Sequence, residues 1–235
     1  MICVEFQSPA DGVAREEALF AAGKPALLLW RSVERGIVVP RSRGRRPGFV
    51  GLSMAAARAG WPLMLRSSGG GAVPQGPGTI NLAIITPMPV GARVEDGYRL
   101  ICGAISEALM RFEVATETGS VDAAFCDGAW NVTVGQRKLA GTAQRWRPIG
   151  NGQSIALIHA AIVAAHPPAS VWPVLSQVEA QAGGITPPRR EVHVALDELL
   201  PAAMAPQALQ GALMRAAEDR LHHLPRRSLE GAAAA

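Results

Sequence analysis

Lysine is nearly missing from this chain. All but two of its 23 basic residues are arginine, the exceptions being Lys24 and Lys138. The planar fork of arginine cannot replace a compact ammonium that reaches a single oxygen, so a lysine kept inside a motif invites a chemical reason. Cysteine is scarce as well. Cys3, Cys102 and Cys126 are odd in number and none belongs to a Cys-x-x-Cys pair, which argues against a disulfide framework and for free thiols in a reducing cytoplasm. No apolar run reaches the roughly 18 residues of a membrane span. The best stretch, Ile155 to Ala165, is shorter and carries His159. The opening "MICVEFQSPADG" has no basic segment leading into a long apolar one, so no signal peptide is expected. His193, His222 and His223 lack a carboxylate or cysteine at metal-ligand spacing, so no metal site is assigned. A net charge of +4 is milder than a nucleic-acid-binding face requires. With 235 residues, 49% hydrophobic and 18% charged, the chain can bury a sizeable core and is not disordered.

What is present reads as alternating short strands and helices. "MICVEFQ" is a strand, and Ser8 caps a helix with Pro9 in its first turn that runs to about Gly23. Ala26 to Arg31 and Gly36 to Pro40 are strand-length apolar runs, followed by the basic loop "RSRGRR", Arg41 to Arg46. That loop is expected to be a solvated face. A short helix (Leu52 to Ala59) leads to the strand "PLMLR". The later strand "TINLAII" is expected to stop at Pro87 and Pro89. Val94 to Phe112 carries Leu100, Ile101, Ala104, Ile105, Ala108 and Leu109 at the spacing of one buried helix face. Strands are expected at Val121 to Cys126, Trp130 to Val134, "KLAGTAQRW" and "SIALIHAAIVA". After Pro167 come a helix (Ala169 to Ala182), a short strand at "EVHVAL", a helix from Pro206 to His222, and a frayed tail "LEGAAAA". Strands in consecutive pairs with irregularly placed helices predict an α+β fold with a mixed, largely antiparallel sheet and flanking helices.

Two segments carry chemistry. "LRSSGGGAVPQGPGTIN" places three glycines after Arg66 and Ser68. It is neither a dinucleotide fingerprint, since it leads to Pro74 and a strand, nor a Walker loop, since no lysine is near. A tight turn is the plain reading. The alternative is that Gly69, Gly70 and Gly71 bring backbone amides onto a ligand while Arg66 offers a planar donor to an anion. "GQRKLAGTAQR" puts Lys138 among the small residues Ala140, Gly141, Thr142 and Ala143, which leave room for a substrate beside one ammonium. An exposed hairpin lysine is the plain reading there.

Together the two segments resemble the lipoate–protein ligase A family, which belongs with biotin–protein ligases and octanoyltransferases. The family loop reads approximately R-R-x-S-G-G-G-A-V-x-H-D-x-G-N-L-N, and its lysine motif approximately G-R-K-I-S-G-S-A-Q-R. "WRSVERGIVVP", Trp30 to Pro40, is a looser counterpart of a third segment. The resemblance spans roughly Leu27 to Ala165. It implies a class II synthetase-like catalytic domain over residues 1–200, with 201–235 a C-terminal helix and tail. It also implies ATP-dependent activation of lipoate as an acyl-adenylate, with magnesium, and transfer to a lysine of an acceptor lipoyl domain. On this reading Lys138 holds the carboxylate and α-phosphate oxygens. Arg66, Ser68, Gly69, Gly70, Gly71 and Ala72 wall the substrate on one side, and Gly141, Thr142 and Ala143 on the other. No nucleic acid or membrane partner is implied.

Pro74-Gln75-Gly76 stands where the family has His-Asp, and His159 is the lone match to a second histidine segment, plainly read as a core histidine. Little more than a strand and two helices follows Pro167, so a separate accessory subunit is conceivable. Cys126 supports a different chemistry, that of octanoyltransferases, which take an octanoyl group from acyl carrier protein onto a cysteine without ATP. A buried hydrophobic thiol is the plain reading. A third possibility is a non-catalytic acyl-binding protein of the same fold.

Overall fold

The computed structural model describes residues 3–184, 186–201 and 206–223. The expected frayed tail lies outside them. Strand β1 (Val4–Phe6) leads into helix α1 (Pro9–Ala22), whose Ser8 and Asp11 cap one another reciprocally and which ends on Gly23 in the left-handed conformation. Strands β2 (Ala26–Ser32) and β3 (Gly36–Pro40) follow, then a 3-10 turn at Arg43–Arg45, α2 (Phe49–Arg58) and β4 (Leu63–Arg66). Next come β5 (Val73–Gln75), β6 (Thr79–Met88), α3 (Val94–Met110), β7 (Glu117–Gly119) and β8 (Asn131–Val134). The long hairpin of β9 (Arg137–Gly150) and β10 (Gln153–Val163) precedes α4 (Val171–Gln181), a 3-10 turn at Arg190–Val192, α5 (Leu196–Leu199) and α6 (Pro206–His222).

Seven strands form the main sheet in the order β1-β2-β6-β10-β9-β8-β7, and β4-β3-β5 form a smaller one. Among these strands only β1/β2 and β3/β4 pair in parallel; the other pairs are antiparallel. The fold is therefore α+β with a mixed, antiparallel-dominated sheet.

Strict alternation along the central strands assigns the faces. Leu82 and Ile84 of β6, with Ala156, Ile158, Ala160 and Ile162 of β10, pack with α3 and α6. Ala83, Ile85, Ile155 and Leu157 point the other way, onto Phe20 of α1 and Trp30 of β2. His159 has the parity of that second face, which turns it toward α1. A third cluster joins β3 to α2 and α4 through Ile37, Val39, Ala56, Val174 and Leu175. Helix α6 buries Leu209, Leu213 and Ala216 in the same cluster as α3, although the sequence places it beyond the domain boundary.

Several expectations change. β6 does not stop at Pro87 but runs to Met88. Its pairing with β2 ends at Ile85, so beyond that point one edge has no ladder partner to miss the proline N–H. Val121 to Cys126 is not a strand. The carboxylate of Asp127 accepts the Val121 N–H and the Asn131 side-chain amide, closing a loop instead. "EVHVAL" is a 3-10 turn and the start of α5, joined to β9 by a single bridge between Lys138 and His193. Strands β5 and β7, three residues each, carry no legible period.

Candidate active site

The glycine loop, the loop before β8 and the start of β9 converge on Cys126. Its backbone is left-handed, φ 48°, a conformation that costs a non-glycine residue about 1–3 kcal/mol and persists only when its surroundings hold it. Lys138 supplies one hold. Its ammonium is fully buried and donates to the carbonyls of Phe125 and Cys126, 2.7 Å each. Burial pushes its pKa down to about 8, against the opposing pull of Cys126 and Asp127. The Cys126 Sγ accepts the Gly71 N–H at 2.9 Å, and a guanidinium nitrogen of Arg66 lies 4.0 Å from it. Gly70 has φ 96°, and a Cβ on Gly71 would approach the Cys126 Cα to 2.8 Å. Side chains there are excluded by conformation and by contact.

Arg66, expected as a free donor to an anion, spends its guanidinium on protein. Nη1 donates to Val38 O at 2.9 Å, and Nη2 donates to Gly69 O and Gly71 O at 2.7 and 2.8 Å. It is buried, which pulls its pKa below the ordinary arginine value. The Ala72 N–H donates to Glu179, whose other oxygen is paired with Arg43 at 2.7 Å. Arg43 is thus the inward-turned member of the basic loop.

His159 is more than a core histidine. Its ring bonds Ser68 Oγ at 2.8 Å and Glu16 at 2.7 Å, and Glu16 in turn accepts the Trp30 indole N–H at 2.8 Å. Gln75, which stands at the family's histidine, exchanges two amide bonds with Asn81. Sequence reading gives no role to Glu16, Glu179 or His193. The only hint is that all three would sit on otherwise apolar faces once the elements are drawn.

Two hollows meet at the thiol. The inner one is narrow and lies between Val13, Trp30, Val38, Val73, Ala161 and the polar Glu16–His159 and Gln75–Asn81 pairs. The outer one is wider and is bounded by Gly69, Gly70, Asp127 and the stacked rings of Tyr98 and Trp130. Cys126, Thr142 and Ala143 line both. Gly141 lies at the lysine, where an added Cβ would come 3.0 Å from Nζ. Ser68, Gly71, Ala72 and Lys138 therefore shape the walls from behind.

A family model described as the lipoyl protein ligase A/B catalytic domain matches residues 8–216. The chain belongs to that family. An uncharacterised protein of Cupriavidus necator is 39% identical over 150 residues, covering 60% of this chain and 59% of that one. An octanoyl-GcvH:protein N-octanoyltransferase of Kyrpidia tusciae is 34% identical over 147 residues, 58% of this chain and 49% of that one. The matched part of this lipoyl ligase-family chain thus spans about half to three-fifths of these relatives. A crystal structure of lipoate-protein ligase A bound with ATP superposes with a TM-score of 0.71 at 18% identity, covering 94% of this chain and 84% of that one. That likeness establishes the fold. Among the described residues no helix is long and apolar enough to cross a membrane.

Proposed function

We propose that the protein is a cysteine-dependent acyltransferase that carries an octanoyl or lipoyl group from a donor protein to a lysine of an acceptor lipoyl domain. One observation carries this reading: Cys126 is half-buried where an inner apolar hollow meets an outer cleft, with its Sγ on the Gly71 amide. In the first step the Cys126 sulfur attacks the acyl carbonyl carbon. A carbon–sulfur bond forms, the bond to the donor breaks, and the donor leaves with the thiol proton. In the second step the acceptor amine attacks the acyl-Cys126 thioester. The new amide forms, the carbon–sulfur bond breaks, and the amine proton returns to the sulfur. The inner hollow takes the acyl chain, and the outer cleft admits first the donor and then the acceptor arm. The buried charges of Lys138 and Arg66 favour negative charge on the carbonyl oxygen of each tetrahedral intermediate.

ATP-dependent activation, with magnesium, is the second reading, supported by the family and by the match of the lysine motif. The residues fit a nucleotide less well than a thioester. Lys138, the cation expected at the α-phosphate, commits two donors to backbone carbonyls, and Arg66, expected in the substrate wall, is likewise turned onto backbone carbonyls. The relatives whose names specify octanoyl transfer also favour the thiol route for this chain. Incubation with an octanoylated carrier and an apo lipoyl domain decides the matter. Mass spectrometry should find the modified acceptor without ATP, an acyl group on the Cys126 peptide, and no product with Cys126→Ser. Strict dependence on ATP together with full activity of Cys126→Ser would establish the ligase instead.

A further inference from the structure

We propose that His193, which lies outside both sequence motifs, is the positioning residue of Cys126: its imidazole fixes the Ala124–Phe125 peptide that leads into the left-handed Cys126 and so aims the thiol at the glycine loop. The inference rests on the reading of Cys126 as the nucleophile.

Three of the four backbone polar groups of Phe125 and Cys126 are held by two buried side chains from different directions. Lys138 takes the two carbonyls. The third, the Phe125 N–H, donates to His193 Nε2 at 3.2 Å. Because a backbone N–H can only donate, Nε2 accepts, and the ring proton resides on Nδ1, which donates to Arg189 O at 2.8 Å. Both ring nitrogens are therefore committed and the tautomer is determined. The ring plane is fixed too. It stacks on the Phe125 ring at 4.3 Å and 13°, with Trp172 5.4 Å away. Its backbone is locked to the same lysine, since the Val194 N–H donates to Lys138 O at 2.9 Å. His193 is 1% exposed. Burial first, and the Lys138 ammonium second, push its pKa down to about 4, which keeps the acceptor nitrogen free of a proton near neutrality.

A side chain that only filled space here would not need an acceptor at this atom. Without one, the Phe125 N–H is buried unpaired, and the least costly relief is to roll the Ala124–Phe125 peptide and the turn that follows it. That roll moves the Cys126 Sγ off the Gly71 amide. His193 touches neither substrate nor sulfur; it acts through the peptide it holds.

The test compares His193→Phe, which keeps a stacked ring without an acceptor, with His193→Gln, which restores an acceptor. Three readouts are used: iodoacetamide alkylation at the Cys126 peptide, single-turnover acylation by a small octanoyl thioester, and thermal melting. The expected result is a loss of roughly ten- to a hundredfold in acylation rate for His193→Phe, the scale set by misplaced reacting atoms. Alkylation should slow with it while half-saturation by the thioester stays put, and His193→Gln should recover most of both rates. Parent rates in His193→Phe overturn the proposal, as does equal impairment of both variants at unchanged melting temperature. Should His193→Phe fail to fold, His193→Gln against His193→Met decides by the same criterion. Alkylation reads the thiol alone, so a failure of the transfer reading, seen as an active Cys126→Ser, is distinguishable from a failure of this one.

Discussion

Lys138 holds a full charge where no water reaches it, and its ammonium is committed to the chain that bears the thiol. Removing it therefore acts on stability as well as on transfer, contrary to the expectation for a pocket ammonium that touches only substrate. Lys138→Met leaves two buried carbonyls without a donor. At about 1–3 kcal/mol for each orphaned group, and roughly 2–4 °C per kcal/mol for a domain of this size, a fall in Tm of several degrees should accompany the loss of transfer. The pH dependence has a definite sign. Between about pH 8 and 10.5 the unfolded chain keeps a proton that folded Lys138 has shed, so the lysine's contribution to stability rises with pH across that window. Urea midpoints at pH 7.5 and 10 should show the parent gaining on Lys138→Met. A constant gap would mean that Lys138 does not titrate as a buried group.

At the scale of elements, helix α1 lies close on β2 because Gly12 has no side chain. A Cβ there would clash with the Trp30 ring. One turn later Glu16, on the same face, reaches the indole N–H of Trp30 and the ring of His159, so the helix depth sets a polar bond network in the wall of the inner hollow. Gly12→Ala should lift the helix. Overpacking of this kind costs about 1–3 kcal/mol, and calorimetry should register a Tm lower by roughly 2–12 °C. The shift should be accompanied by a raised half-saturation for the acyl donor, because Glu16 and His159 line the hollow. An unchanged Tm would show that α1 has room to move.

Across the whole molecule, the segments after β10 act as structural parts of the site. Glu179 of α4 takes the Ala72 amide, and α6 completes the cluster that α3 makes on the sheet. Leu213, 1% exposed, sits in that cluster. Its truncation to Ala should cost about 2–5 kcal/mol, the usual range for a buried leucine. Thermal melting near that of the parent would instead place α6 outside the cooperative unit.

The class of fold, the family and most of the regular elements are legible in the amino-acid string. Ser8, Pro9 and Gly23 marked both ends of α1, and the apolar spacing from Leu100 to Leu109 marked α3, because caps and helical periods are local properties. It also exposed the glycine loop and the Lys138 motif, since each is a contiguous string. The tertiary structure decided what those strings touch. No local pattern reveals that Arg66 and Lys138 turn onto backbone carbonyls, because their acceptors lie on other segments: Phe125 and Cys126 for the lysine, Val38 and the glycine loop for the arginine. Nor does a period announce the loop at Val121 to Cys126, whose apolar residues satisfy strand patterning while Asp127 closes it through Val121 and Asn131. His193 and Glu16 were hidden for the same reason. A hydrogen bond between residues 68 apart, as from Phe125 to His193, depends on how two chain segments pack, and that is settled only when the sheet and its helices bury their apolar faces together.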